Sequence, residues 1–417
     1  MRAHRTLVFA IVASVGAAAC ASPAPCRRDE LQPVTGPWLA VVLSDYASTE
    51  IAIVERDGQV LAPWLDSGSR PPELVAALSG DVVLPRAMPT SDALVLVDRY
   101  QTDVLTYVPF AEPRAGLWQA DLRGVRTAGT SPNPQDVVAL PDGRWLVSRH
   151  NPAEDAAVPE LALGNDLALV DPDARALVAR FDLGADVTVE GTRYFARPSG
   201  LARLETRRGP RVLVGLARLS ALALRRTGPG AVALFDPTSG ATTVLELPGL
   251  SNCLAVAASP DAPGEAVALC RGDAFGEDET RAGLAFVDAS SGELALLAVR
   301  RSAEESTLPP PGNGLVALGA DRVAYVSSGS FLEGRVDRLV IVSRAGGAQV
   351  IAESGPTPFE LGEGGLDHAR GELLVPDGNA RAIRRFVLDE GGATEGAPLE
   401  LEACLRLPPR QVVVVGR

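Results

Sequence analysis

The sequence predicts an all-β chain folded as a closed ring of seven four-stranded sheets. Three observations carry this. A short apolar strand that closes on a polar residue, usually a carboxylate, recurs seven times along the chain. No segment has the length and 3.6-residue period of an amphipathic helix. The last apolar run of the chain matches an innermost strand that the first sheet otherwise lacks.

The unit is clearest from Asn133 to Leu183. Asp136 to Leu140 is a short apolar run, and Pro141-Asp142-Gly143 turns the chain, with Gly supplying the dihedrals other residues avoid. Trp145 to Ser148 is a second run. After a polar insert, Asp166 to Asp171 alternates as LALVD, turns through Pro172-Asp173-Ala174, and gives way to Ala176–Leu183. The third strand of the unit is read again in EIAIVERDG (50–58), ALVLVDRYQTD (93–103), AVALFDPTSGA (231–241), GLAFVDASSGE (283–293), RLVIVSRAGGA (338–348) and AIRRFVLDEGGA (382–393). The closing residues are Glu55, Asp98, Asp171, Asp236, Asp288, Ser343 and Asp389, at spacings of 43, 73, 65, 52, 55 and 46. The shortest spacings fit a four-stranded blade, and the longer ones imply inserted loops. A carboxylate in that place accepts the backbone N–H two residues on and starts the hairpin turn, a structural role rather than a catalytic one.

One such unit cannot bury both of its apolar faces; packing units side by side does, and closing the ring protects the inner edges. The expected architecture is therefore a seven-bladed β-propeller of antiparallel blades over residues 36–417. DLALVDPDARALVARFDLG followed by PSGLARL resembles the repeat of the YVTN family of seven-bladed propellers, although WLVSRHN (145–151) and VAYVSSGS (323–330) stand where that tetrad would be. The resemblance implies the fold and an extracytoplasmic address. It carries no shared catalytic residues.

Closure is read from the two ends. PRQVVVVGR (409–417) resembles the inner strand of NPQDVVAL (133–140), whereas the first blade has only Trp38–Leu43, Glu50–Glu55 and Gln59–Leu65. The last strand is expected to complete the first blade. Ahead of the ring, residues 1–20 read as a lipoprotein-type export signal. Arg2 and Arg5 precede a short apolar stretch, and Ala17-Ala18-Ala19-Cys20 resembles a lipobox that would place a lipid on Cys20. Residues 21–35 read as a flexible tether. The expected location is the bacterial cell envelope, periplasmic or outer-membrane, with the membrane reached through the N-terminal lipid; secretion after cleavage at the small residues is the alternative.

Without Arg2 and Arg5 there remain 37 basic residues, all arginine, against 52 acidic ones, a formal charge of −15. That balance disfavours nucleic acid and anionic headgroups as partners. Four cysteines follow Cys20, and four allow three pairings. NCLAVAASP (252–260) and EAVALCRGD (265–273) form a hairpin that sets Cys253 opposite Cys270. Cys26 and Cys404, near the two ends, are left as a second pair whose bridge would close most of the chain. An exported compartment permits both, and one pair remaining as buried thiols is the alternative.

In such a blade the second-to-third-strand loops and the blade-to-blade loops share one face. The long segments 151–165, 218–230, 272–282, 328–337, 110–133, 184–198 and 301–313 all belong to those two classes. Binding residues are therefore sought on that face. Asn133, Asn252 and Asn313 precede inner strands, with Ser199, Glu363 and Gln411 in comparable slots. They would ring the channel mouth, where oxygen ligands could hold Ca²⁺; shaping the turn is the plainer role for Asn. GDAFGEDE (272–279) gathers four acids without EF-hand spacing. Beyond the signal the only histidines are His150, on the long-loop face, and His368, on the other, so no His₂ zinc site forms. Nothing in the sequence places a nucleophile beside His150. No P-loop, dinucleotide fingerprint or CxxC is present, and Arg271-Gly272-Asp273 is a chance-length match to an adhesion tripeptide. These readings favour a non-catalytic envelope scaffold that binds a protein, peptide or small ligand through Asn133, His150, Asn252 and Asn313. A Ca²⁺-dependent, lactonase-like hydrolase is the alternative.

Overall fold

A computed structural model describes residues 31–99, 102–124, 131–153, 160–220, 226–273, 279–401 and 406–415. Among these residues the secondary structure is β apart from two short 3₁₀ turns, Glu160–Ala162 and Glu279–Arg281. Seven sheets of four or more antiparallel strands follow one another along the chain, with one further three-stranded sheet.

In the first blade the strands run, from the inside out, Pro409–Val414, Pro37–Ser44, Thr49–Glu55 and Val60–Asp66. The C-terminal strand is therefore the innermost one, as expected. Its register places Val414 opposite Leu39, Val412 opposite Val41 and Gln411 opposite Val42. The third and fifth blades start their inner strands at Pro134 and Cys253, and the sixth starts at Asn313.

Every interface between neighbouring blades has its own apolar core. Leu94 and Leu96 pack with Val42 and Ile53 of the first blade. Val95 and Val97, the alternate positions on the same strand, pack with Val147 and Val170 of the third. The pattern repeats around the ring through Leu146 with Val214, Val232 with Val256, Leu269 with Tyr325, and Val326 with Leu373. It closes where Leu374 and Ile383 of the seventh blade meet Val41 and Ala52 of the first. Successive side chains point to opposite faces, and both faces are buried, so the strands read as nearly continuous apolar runs. A β-propeller is the fold these contacts define.

The carboxylates at the outer turns hold the expected bonds. Asp171 accepts from Asp173 N at 2.9 Å, Asp236 from Thr238 N at 2.9 Å, Asp288 from Ser290 N at 2.7 Å and Asp389 from Gly391 N at 2.8 Å. Asp98 differs. Ala93–Asp98 is the second strand of its blade, lying between Val82–Val83 and Val104–Pro109, not the third. Its end therefore lies on the long-loop face. There the buried Asp98 carboxylate takes the Ser79 hydroxyl at 2.6 Å and the Ser79 N–H at 2.7 Å, pinning the loop from the first blade. An alternating strand reads the same in either position, and so the sequence places it one strand too far out.

The end of the expected tether is part of the fold. Leu31 and Val34 are buried, with Leu31 N–H donating to Trp64 O at 2.8 Å and Val34 N–H to Phe110 O at 2.7 Å. The Cys253–Cys270 disulfide is present, between residues paired directly across the first two strands of the fifth blade. Cys20, Cys26 and Cys404 lie outside the described residues, as do Glu277 and Asp278 of the acidic loop.

Candidate functional site

The long-loop face is built on buried arginines. In the third blade Arg149, at the end of the second strand, forms a fully buried fork with Asp166 at the start of the third, at 2.8 and 2.7 Å. Arg180 adds a bond to the same carboxylate at 2.7 Å. In the fourth blade Arg218, two residues past the end of the second strand, reaches Glu246 at the end of the fourth strand at 2.6 and 2.7 Å through Nη1. Bidentate pairs of this kind fix the bases of the long loops in one geometry. The hairpin Val187–Val189 and Thr192–Phe195 is secured by pairing with Leu219–Ser220.

The mouth residues occupy repeated positions. Asn133, Arg197 and Asn252 each stand just before an inner strand with positive φ, at 52°, 47° and 55°. Each carbonyl accepts a backbone N–H from the end of the second strand: His150 at 3.1 Å, Ala217 at 3.2 Å and Arg271 at 3.0 Å. Asparagine is chosen twice because it tolerates the left-handed region. The fourth-blade slot belongs to Arg197 rather than Ser199, whose backbone carbonyl instead takes the Ser148 hydroxyl at 2.5 Å. Asn313 lies within its strand, and Gly314 carries the positive φ of 65° there.

The expected ligand residues separate into two groups. Asn133 is committed internally, its Oδ1 accepting from Gln135 Nε2 at 2.7 Å. His150 Nδ1, Asn252 Oδ1 and Asn313 Oδ1 are buried without a hydrogen-bond partner. Asn252 spends its other end on Asp273 O at 2.9 Å, which holds the orphaned oxygen in a fixed orientation. Burial, reinforced by the guanidiniums of Arg197 and Arg99, lowers the His150 pKa to about 3. The imidazole is therefore neutral at any physiological pH and offers hydrogen bonding rather than charge. Asn313 and Arg99 share with Glu363, Gln411 and Arg410 the wall of a small recess of about 130 Å³.

Charged groups continue into the channel, a cavity of about 500 Å³ walled largely by inner-strand residues such as Val138, Leu201, Val256 and Leu315. Arg86 stands between two carboxylates, its Nε 3.7 Å from Asp136 and its Nη2 3.8 Å from Glu363. Burial raises the Asp136 pKa to about 6, opposed by Arg86 and by the N–H groups of Leu201, Arg86 and Val137. Burial likewise holds the Arg271 guanidinium below the usual arginine value, with Asp273 and Glu363 opposing. Arg86, Arg197 and Arg271 were not legible as site residues, because nothing in a run of sequence distinguishes them from solvated surface arginines.

Among the described residues no three of His, Cys, Asp and Glu converge as a metal-binding group.

No family model and no curated protein sequence matches the chain. In three dimensions the chain is similar to the periplasmic gluconolactonase of Pseudomonas aeruginosa, with a TM-score of 0.56 at 14% identity over 91% of this chain and 99% of that one. A protein assigned as a 6-phosphogluconolactonase from Bacteroides uniformis gives 0.54 at 11% identity, over 91% and 99%. A protein of unknown function from Desulfotomaculum acetoxidans gives 0.51 at 12% over 91% and 99%. At these identities the likeness defines a class, the β-propellers, and nothing narrower.

Proposed function

We propose that this chain is an envelope-tethered, non-catalytic β-propeller that binds a small polar ligand at the channel mouth on its long-loop face. One observation carries the reading: His150 Nδ1, Asn252 Oδ1 and Asn313 Oδ1 are buried and unpartnered. Leaving such atoms unmade costs about 1–3 kcal/mol each, a cost that a hydroxyl-bearing ligand would recover. Arg197 and Arg271 beside them favour a ligand that also carries a carboxylate or phosphate. The lipid on Cys20 and the YVTN-like repeat supply the envelope address. Replacing Cys20 by Ala is expected to move the protein from the membrane to the soluble fraction.

The structural neighbours supply probes. Isothermal titration with gluconate, 6-phosphogluconate and their lactones is expected to give binding by at least one, lost in Asn252→Ala and Asn313→Ala. Silence from every probe, or binding indifferent to both substitutions, would count against the mouth as the site.

A second reading, a Ca²⁺-dependent lactonase, draws on the two lactonase-named neighbours and the orphaned asparagine oxygens. Asn252 and Asn313 fit oxygen ligation, but Asn133 is already engaged and no carboxylate trio joins them. Lactone hydrolysis by chelator-treated protein that is restored by Ca²⁺ would favour it; a melting temperature unmoved by Ca²⁺ would remove it.

A further inference from the structure

The long-loop face also presents aromatic rings to water, from neighbouring blades. Tyr46 is 69% exposed, Phe331 69%, Leu332 99% and Phe359 50%. They come from the second loop of the first blade, that of the sixth, and the connection between the sixth and seventh. They are adjacent: the Phe331 and Phe359 ring centres are 5.6 Å apart, and Arg410 links Phe359 to Tyr46. Its Nη1 donates to Phe359 O at 2.6 Å, and its guanidinium carbon lies 5.7 Å from the Tyr46 ring.

Two features separate this arc from scattered surface apolar residues. First, Tyr46 and Phe359 have φ of 66° and 64°, a region that bulky side chains avoid and that Gly or Asn would occupy without strain. The chain keeps rings there although neither is buried. Second, the arc is rigidly mounted. The Asp337 carboxylate accepts the N–H groups of Gly329, Phe359, Glu360 and Leu361 at 2.6, 2.9, 2.6 and 2.9 Å, tying the Phe331 loop to the Phe359 segment. Contiguous, pre-organised apolar surface of this kind is how a docking site lowers its ordering cost.

Charge selects the occupant. Arg335, in the Phe331 loop, binds Glu279 at 2.6 Å. Glu333, which adjoins Leu332 and also meets Arg335 at 2.6 Å, Glu360 beside Arg410, and the exposed Asp45 before Tyr46 join Glu279, so that carboxylates outnumber the two arginines around the arc. Backbone N–H groups of Ser48 and Ala47 lower the Asp45 pKa, keeping it ionised. We infer that Tyr46, Phe331, Leu332 and Phe359 form a protein-docking surface for a segment that offers apolar side chains flanked by lysine or arginine. The acidic surround opposes an anionic bilayer. Tyr46, Phe359 and Arg410 also line the recess that holds Asn313, so this surface borders the ligand site, whereas Phe331 and Leu332 lie outside that recess.

The test uses the full mature chain and a fluorescein-labelled amphipathic Leu/Lys peptide, read by anisotropy. The peptide is expected to bind the wild type and to lose at least about tenfold in affinity when Phe331 and Leu332 are both replaced by Ser, as anchor residues do. Raised salt is expected to weaken it, and a Leu/Glu peptide of the same pattern to bind poorly. The substituted side chains are solvent-exposed, so the melting temperature should hold. Equal binding by wild type and double variant overturns the proposal, as does equal binding of the Leu/Glu peptide. Co-sedimentation of wild type, but not the variant, with phosphatidylcholine or phosphatidylglycerol vesicles assigns the arc to a lipid surface instead. Self-association that disappears in the variant assigns it to a second copy. Either overturns the protein-segment reading.

Discussion

The side-chain amide of Gln411 clasps both backbone groups of Leu84. Its Oε1 accepts the Leu84 N–H at 2.6 Å, and its Nε2 donates to the Leu84 carbonyl at 2.9 Å. The two residues are 327 apart in sequence, so the last strand, already the inner strand of the first blade, also holds the second. Gln411→Leu would leave two buried peptide groups unpaired. A loss of about 2–4 kcal/mol is expected, measured as a lowered denaturant midpoint. Deleting residues 409–417 should go further and abolish cooperative melting.

Arg149 and Asp166 are both fully buried at the base of the third-blade loop. Removing Arg149 leaves the buried Asp166 carboxylate with Arg180 as its one remaining arginine partner among the described residues. Arg149→Met is expected to cost about 3–5 kcal/mol in urea denaturation. The double change Arg149→Met with Asp166→Leu should recover part of that loss, even though Arg180 also loses its partner.

Asp136 should make stability depend on pH in an unusual direction. Its folded pKa is raised to about 6, above the ordinary carboxylate value, so the folded state holds the proton more tightly. The favourable contribution is full below the unfolded pKa of about 4 and is lost as pH rises toward 6. Asp136→Asn does not titrate. The stability gap between wild type and this variant should therefore be larger at pH 4.5 than at pH 7, by chemical denaturation at both pH values. A gap that widens toward neutral pH would mean that the ionised carboxylate is the stabilising form.

His150 acts in the opposite sense. Its pKa is lowered to about 3, so the unfolded chain gains a proton first as pH falls below about 6.5. Wild type should lose stability relative to His150→Gln on acidification from pH 7 to pH 4. Its imidazole resonances should not shift between pH 5 and pH 8. Ligand binding at the mouth should be equally insensitive to His150 protonation over that range.

The ring was legible in the sequence because the second and third strands of most blades bury both faces and the turns carry their own signal. Gly143 and the Asp residues at 171, 236, 288 and 389 mark turns by local chemistry, which needs no partner to be read. Asp98 was misplaced because strand position within a blade is set by tertiary pairing, not by alternation. The site was half legible. Asn252 and Asn313 stood out because, with Asn133, they recur just ahead of inner strands. Arg197 did not, since the left-handed slot it fills is normally given to Gly or Asn. Arg86 reaches its place only because Asp136 and Glu363, on distant blades, converge on the channel.

Hydrogen exchange of the backbone amides in Pro409–Val414 is the most direct check on the closed ring, from which both binding surfaces take their geometry. The amides of Gln411, Val412 and Val413 should exchange as slowly as those of Leu39 to Val42 and become labile only with global unfolding. Exchange at the rate of a frayed terminus, while the neighbouring first-blade strands stay protected, would contradict it.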